Sequence, residues 1–276
     1  MSLLHVIVLD VGWGDSIIVE SVDQYGKLHV GIIDSNDTSK NRFSLNFLKR
    51  RLQTLGIDYS NQQHFLDFVL LTHGHADHGQ GLKAIMQEFG TKQFWYSKST
   101  QWGSMGSLLR FARLSSNVDH HQAIDDNRIL PDYGDVKLDV LWPKDSNNSP
   151  QPDENNNSVV MTLKLGSQTF LLTGDAEKEV WDEIANDIPD DTTFLKVPHH
   201  GSVNGSLDEN NDPTWFNNCP PNALLGISCH VGRYGHPHNE VIELFENNGR
   251  KPYRTDEHYH LIFETDGSAT TVKYHH

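Results

Sequence analysis

Phe68-Val69-Leu70-Leu71-Thr72-His73-Gly74-His75-Ala76-Asp77-His78 decides the reading of this chain. A short apolar run ends in a loop holding His73, His75, Asp77 and His78 almost side by side. A continuous apolar run bounded by polar residues suits a buried strand. In an extended segment side chains two apart point the same way, so His73 and His75 can close on one ion. Asp77 and His78 begin the next turn and can face a second ion beside the first. If Asp77 only capped a following helix, the loop would need no histidines, whereas imidazole is a leading ligand for zinc and related ions. The loop is read as metal-binding.

One loop cannot complete two coordination shells, so other strand ends must supply carboxylates and histidines. Leu171-Leu172-Thr173-Gly174-Asp175 ends an apolar strand in Gly-Asp and presents a carboxylate at a sheet edge, where it can bridge two ions or cap the helix that follows. Leu195-Lys196-Val197-Pro198-His199-His200-Gly201-Ser202 repeats the plan. Adjacent histidines point in different directions, so one is a direct ligand and the other supports it or meets substrate. In Tyr234-Gly235-His236-Pro237-His238, two histidines held around a proline suit pocket groups that hydrogen-bond substrate or donate a proton. Asp10-Val11-Gly12-Trp13-Gly14-Asp15-Ser16 reads equally as a Gly-rich turn or as a source of supporting carboxylates. Asp34, ending Gly31-Ile32-Ile33-Asp34, can orient a ligand histidine. Glu154-Asn155-Asn156-Asn157-Ser158 reads as a loop, and His120-His121, His258 and His260 as surface or packing residues.

The rest of the pattern alternates strands and helices after a hairpin-rich start. Strands are expected at His5–Leu9, Ser16–Ser21, Leu28–Asp34, Phe68–Thr72, Val136–Trp142, Phe194–Val197 and Ala223–Ser228. Val159–Leu165 and Gln168–Leu172 form a hairpin through Gly166-Ser167, and short strands close the chain near Tyr253, Leu261–Glu264 and Ala269–Val272. Helices are expected at Asn41–Leu55, around Leu82, Ile85, Met86 and Phe89, around Met105, Leu108, Leu109 and Ala112, and at Ala176–Asn186 and Asn239–Asn247. Such alternation suits packed sheets with helices outside. No linker divides the sequence, so residues 1–276 are read as one domain.

Composition narrows the function. The formal charge of −15 argues against holding nucleic acid through a broad basic surface, but less against an enzyme whose divalent ions supply the positive charge. Apolar content of 36% with mean hydropathy −0.55 suits a soluble chain, and no apolar stretch nears the roughly 20 residues a bilayer span needs. Leu3 to Leu9 reads as a first strand, not a signal peptide. Cys219 and Cys229 are the only cysteines, which makes a reducing cytoplasm the default. His275 and His276 carry no part of the reading.

Taken in order, these motifs resemble the metallo-β-lactamase superfamily: H-x-H-x-D-H is His73, His75, Asp77 and His78, the T-G-D strand end is Asp175, and the later histidine lies in His199-His200. More narrowly, the chain is similar to the soluble nuclease-like domain of ComEC-type competence proteins. That branch carries D-V-G-x-G-D (Asp10–Asp15), Asn-Asn-Ser (Asn156–Ser158), L-L-T-G-D, K-V-P-H-H-G-S (Lys196–Ser202) and G-H-P-H (Gly235–His238), all present here in that order. Trp13 stands where the branch more often has Gln, which alters the lip of the pocket. There is no membrane channel in the sequence, so a role in DNA uptake does not carry over.

The resemblance implies an αββα sandwich and a site for two divalent ions, zinc or manganese, between the sheet edges. It implies hydrolysis, most naturally of DNA or a related phosphodiester. His73 and His75 would hold one ion, Asp77, His78 and His199 the other, with Asp175 bridging and a water of lowered pKa as nucleophile. Asp77, Lys196, His200, His236 and His238 would complete the catalytic set by steadying charge or protonating the leaving oxygen. Asn155–Asn157 replace a histidine that many members have, making one site harder and favouring manganese or magnesium over zinc. A competing reading is hydrolysis of a small molecule such as a lactone, lactam, phosphocholine ester or cyclic nucleotide. A binding module without turnover fits less well, because structural zinc sites close with four ligands.

Overall fold

Side chains alternate across a strand, and in the central strands both sets are apolar, so each sheet must be covered on both faces. A computed structural model describes residues 1–274; His275 and His276 lie outside the described residues. Its first sheet contains β1 (Leu3–Val8), β2 (Ile17–Val22), β3 (Leu28–Ile33), β4 (Phe68–Leu71), β5 (Thr91–Ser97) and β6 (Val118–Ile124). The second contains β7 (Lys137–Trp142), β8 (Val160–Leu165), β9 (Gln168–Leu172), β10 (Thr192–Lys196), β11 (Leu224–Ile227) and β12 (Tyr253–Arg254). The chain then returns to the first sheet with β13 (Leu261–Thr265) and β14 (Thr270–Tyr274), giving the order β14-β13-β1-β2-β3-β4-β5-β6 against β12-β11-β10-β9-β8-β7.

The alternation sorts the core into layers. Phe68 and Leu70 of β4 face the space between the sheets, while Val69 and Leu71 face helices. Phe170 and Leu172 of β9 likewise point between the sheets and Leu171 points outward. Phe194 of β10 stacks on Phe263 of β13 with ring centroids 3.8 Å apart, joining the two sheets. Each such fully buried ring stabilises the fold by about 1.5–3 kcal/mol relative to exposure.

On the first sheet lie α1 (Phe43–Thr54), α3 (Leu82–Phe89) and α4 (Gly106–Leu114), which follow and precede the short α2 (Ala76–Gly79) in the manner of crossover helices. They insert Leu48, Leu52, Ile85, Met86 and Leu108 into the outer cluster. The second sheet is covered by α5 (Lys178–Ile184) and α8 (Asn239–Asn247), with α6 (Val203–Ser206) and α7 (Val231–Tyr234) as short turns between them. Val180, Trp181, Val241 and Phe245 fill that layer. The result is the expected αββα order. No helix among the described residues is long and apolar enough to cross a membrane.

The differences from expectation are local. β5 and β6 were not anticipated: β6 reads Val-Asp-His-His-Gln-Ala-Ile because it is an edge strand whose middle faces solvent, which places His120 and His121 on an exposed rim. The helix expected from Ala176 starts at Lys178, since Asp175 and Glu177 turn their side chains toward histidines instead. β3 and β4 run parallel, as do β9, β10 and β11. Their carboxyl ends therefore open on one side, where ligands bind in sheets of this kind.

Candidate metal centre

Each of those strands delivers a polar residue as its last apolar side chain is passed. After β3 comes Asp34, completely buried, with a left-handed φ of 56°. Its carboxylate accepts from the Thr72 amide (2.8 Å) and hydroxyl (2.6 Å), and its Oδ2 lies 2.7 Å from His78 Nδ1. After β4 comes His73, also fully buried, with Nε2 3.0 Å from Nδ1 of the exposed His75. Asp77 and His78 lie in α2, where His75 occupies the capping position without a side-chain cap.

After β9 comes Asp175, whose amide donates to Ser158 Oγ (3.0 Å). Its Oδ2 lies 3.2 Å from His78 Nε2 and 3.3 Å from His200 Nε2. After β10, His199 and His200 take φ of 46° and 56°, followed by Gly201 at 77°. Two consecutive left-handed non-glycine residues are strained, a feature that clusters at functional sites. Gly201 must be glycine, since a Cβ there would lie 2.7 Å from Pro237 Cβ. The turn directs His200 inward, where its Nδ1 donates to the Ser228 carbonyl after β11 (2.9 Å).

Four groupings bring ligand atoms within 4.8 Å of one another: His73 with His78 and Asp175; Asp77 with His78 and His200; Asp15 with Asp175 and His200; and Asp15 with Asp34 and His78. Nε2 of His78, Nε2 of His200 and Oδ1 of Asp175 are buried without a hydrogen-bond partner. Such atoms are costly unless something satisfies them. Two imidazole nitrogens converging on a carboxylate are the donor set a zinc- or manganese-like cation takes. The residues fit a divalent centre.

The same contacts set the protonation of the cluster in the absence of an ion. Burial disfavours a charged His78, yet the carboxylates of Asp175 and Asp34 hold its pKa well above the usual imidazole value. Burial also opposes ionisation of Asp175, but His200 and His78 hold it well below the carboxylate range. His73, buried beside His78, is pushed well below. Burial and three neighbouring imidazoles, those of His199, His200 and His238, lower His236 to about 4.

The site residues expected from sequence divide into two groups. His73, Asp77, His78, Asp175 and His200 come together in those groupings, and His75, which is in none of them, reaches the cluster through its 3.0 Å contact with His73. His199 does not join them: its Nδ1 lies 2.8 Å from Glu177 Oε1, and it belongs to none of the four groupings. Lys196 is completely buried beneath the site, 2.6 Å from Asp15 Oδ2, and donates to the Gly174 carbonyl (2.9 Å). His238 accepts the Val203 amide at Nδ1 (2.9 Å) and so braces α6, while His236 lines the open pocket of ≈ 360 Å³ above the centre.

Asn156 accepts the Glu177 amide and Asn157 pairs with Glu154 and Gln151, whereas Asn155 reaches the pocket wall and donates to Glu177 (3.1 Å). Sequence reasoning missed Glu177 and Glu154. Glu154 accepts the Gly74 amide (2.6 Å) and the Gln101 amide (3.0 Å), tying the His73–His78 loop to the loop after β5. Nothing local in the sequence marks either carboxylate, apart from Glu177 lying two residues beyond Asp175.

A family model described as the metallo-beta-lactamase superfamily matches residues 66–213. The chain is 28% identical over 265 residues to ComE operon protein 3 of Bacillus subtilis (strain 168), covering 90% of this chain and 31% of that protein. It is 27% identical over 146 residues to the uncharacterized protein YcaI of Escherichia coli (strain K12), covering 50% of this chain and 16% of that one. The chain thus spans 31% and 16% of the lengths of these relatives. Among solved structures, zinc-bound PqqB from Methylobacterium extorquens aligns with a TM-score of 0.55 at 12% identity, over 91% of this chain and 97% of that one, a likeness of fold.

Proposed function

This chain belongs to the metallo-beta-lactamase superfamily, and we propose that it is a hydrolase that uses two divalent ions, zinc or manganese, to cleave a phosphodiester. The observation that carries the reading is Asp175 Oδ2 lying 3.2 Å from His78 Nε2 and 3.3 Å from His200 Nε2, with neither imidazole nitrogen otherwise hydrogen-bonded. His73 and His75 would hold one ion and Asp77, His78 and His200 the other, with Asp175 shared. His200 thereby takes the place first read for His199. Divalent ions held there would supply a water of lowered pKa and positive charge against the phosphate oxygens.

The chain's own residues prepare that chemistry. Asp34 engages His78 Nδ1 and the Ser228 carbonyl engages His200 Nδ1, so both rings turn Nε2 toward the centre. Lys196 balances Asp15 and lies 3.7 Å from Asp175 Oδ1, limiting the negative charge gathered below the ligands. His199, tied to Glu177, and His236 line the pocket and are placed to hydrogen-bond or protonate a leaving oxygen.

The phosphodiester assignment is supported by the ordered motifs shared with ComEC-type nuclease-like domains, from Asp10–Asp15 to Gly235–His238. The net charge of −15 favours a short or small diester over a long duplex gripped through basic patches. The test is turnover of bis-p-nitrophenyl phosphate, single-stranded DNA, plasmid and nitrocefin by protein loaded with manganese and then zinc. Diester cleavage that disappears in His78→Ala is expected. Nitrocefin turnover without diester cleavage would move the assignment to lactams.

A further inference from the structure

A series of rings leads out of the metal centre that the ligands do not use. The His236 ring lies 6.3 Å from that of His200 and nearly parallel to it, at 23°. Tyr234 lies 6.0 Å beyond His236 at 32°, and Trp13 meets Tyr234 edge-on at 6.1 Å. Tyr234 is 53% exposed and Trp13 half-buried, and both line the pocket that also contains His75, Asp77 and Asp175.

The two outer rings come from different sheets and are held separately. Trp13 stands between Gly12 and Gly14, at φ of 80° and 82°, and its carbonyl accepts from the Asn36 side chain. A Cβ on Gly14 would lie 2.5 Å from the Asp77 carbonyl, so the Trp13 turn rests directly against the metal loop. Tyr234 ends α7, where the left-handed Gly235 (φ 74°) turns the chain back toward His236. The lip is therefore positioned relative to the ligands from both sides.

The pocket wall has no Lys or Arg among its described residues. Trp13 and Tyr234 are the large aromatic side chains of that wall, and aromatic rings can hold the rest of a substrate by stacking. A base within a duplex is already stacked and paired, and reaching such a lip would require unstacking it. We propose that Trp13 and Tyr234 stack an unpaired nucleobase next to the phosphate that is cleaved, so that the substrate is a single-stranded or short nucleotide ester. This rests on the phosphodiester reading and specifies its substrate class.

The experiment compares kcat/KM for thymidine 5′-(4-nitrophenyl phosphate) and methyl 4-nitrophenyl phosphate, which share a leaving group and differ in the nucleoside, using manganese-loaded protein. The wild type should favour the thymidine ester by about 5- to 150-fold, the scale of stacking one base. Trp13→Leu and Tyr234→Leu should each reduce that ratio, and Tyr234→Phe should keep it. As a check independent of variants, a short oligothymidylate should inhibit the wild type about tenfold more strongly than a blunt hairpin duplex, a ratio within the range for base stacking. A wild-type ratio near one with the methyl ester cleaved, an unchanged ratio in both leucine variants, or equal inhibition by the two DNAs would overturn the lip alone. Failure to cleave either ester would overturn the phosphodiester reading and the lip with it.

Discussion

Asp34 Oδ2 lies 2.7 Å from His78 Nδ1, and neither side chain reaches solvent. The same carboxylate accepts from both the amide and the hydroxyl of Thr72, so one buried acid joins the end of β3, the end of β4 and the His78 ring. Supporting carboxylates of this kind fix the ring and raise its basicity, and their loss costs about 10–100-fold in metal affinity. Asp34→Asn preserves the shape and removes the charge. Manganese and zinc affinities measured by chelator competition should fall by that factor; affinities equal to wild type would remove Asp34 from the centre.

The paired histidines make a sharper test. His200 Nε2 lies 3.3 Å from Asp175, while His199 Nδ1 lies 2.8 Å from Glu177. His200→Ala should therefore lower the metal bound per chain after reloading and dialysis, and His199→Ala should retain the wild-type content. Elemental analysis of both variants decides between them, and the opposite ranking would restore His199 as the ligand.

What the sequence made legible, and what it did not, follows from the range of each signal. The His73–His78 loop and Asp175 stood out as candidates because His and Asp sit where an apolar strand runs out, a local pattern. The roles of His199 and His200 could not be assigned, because side-chain alternation applies to extended backbone and both residues are left-handed. Glu177 and Glu154 act on residues far away in the sequence, His199 and Gly74, so nothing nearby announced them. Lys196 was expected, from the resemblance, to steady charge or protonate the leaving oxygen. Here it is sealed against Asp15, a partner on the other sheet. Strand β6 escaped for the converse reason: an edge strand with a solvated middle has no apolar run to find.

Lys196 and Asp15 are 0% and 1% exposed at the side chain and 2.6 Å apart. Removing one member of a buried pair leaves the other charge uncompensated, at a cost of about 3–5 kcal/mol. Lys196→Ala should therefore unfold in urea with its stability reduced by about that amount, measured on metal-stripped protein so that binding does not contribute. Lys196→Met combined with Asp15→Leu should recover most of the loss, since the Asp15 charge is no longer stranded beside an apolar side chain. If the double variant is no more stable than Lys196→Ala, packing and not charge explains the effect.

Away from the site, Glu20 gives a pH prediction whose sign can be worked out. Its side chain is 2% exposed and receives Arg51 at 3.0 and 2.8 Å, with His5 Nδ1 3.4 Å away. Burial alone would raise its pKa, but the hydrogen bonds and charges of His5 and Arg51 hold it below its ordinary value of 4.5. A carboxyl group depressed in the folded state binds protons more weakly there than in the unfolded chain. Its contribution is thus fully present above 4.5 and is lost as pH falls through the lower folded value. Arg51→Met removes the partner that makes two hydrogen bonds to Glu20, so the folded value should rise and the stability gained from ionising Glu20 should shrink. Melting temperatures of wild type and Arg51→Met should therefore stand furthest apart near neutral pH and converge in acid as Glu20 protonates in both. Curves that stay parallel throughout would show that Arg51 does not set the ionisation of Glu20.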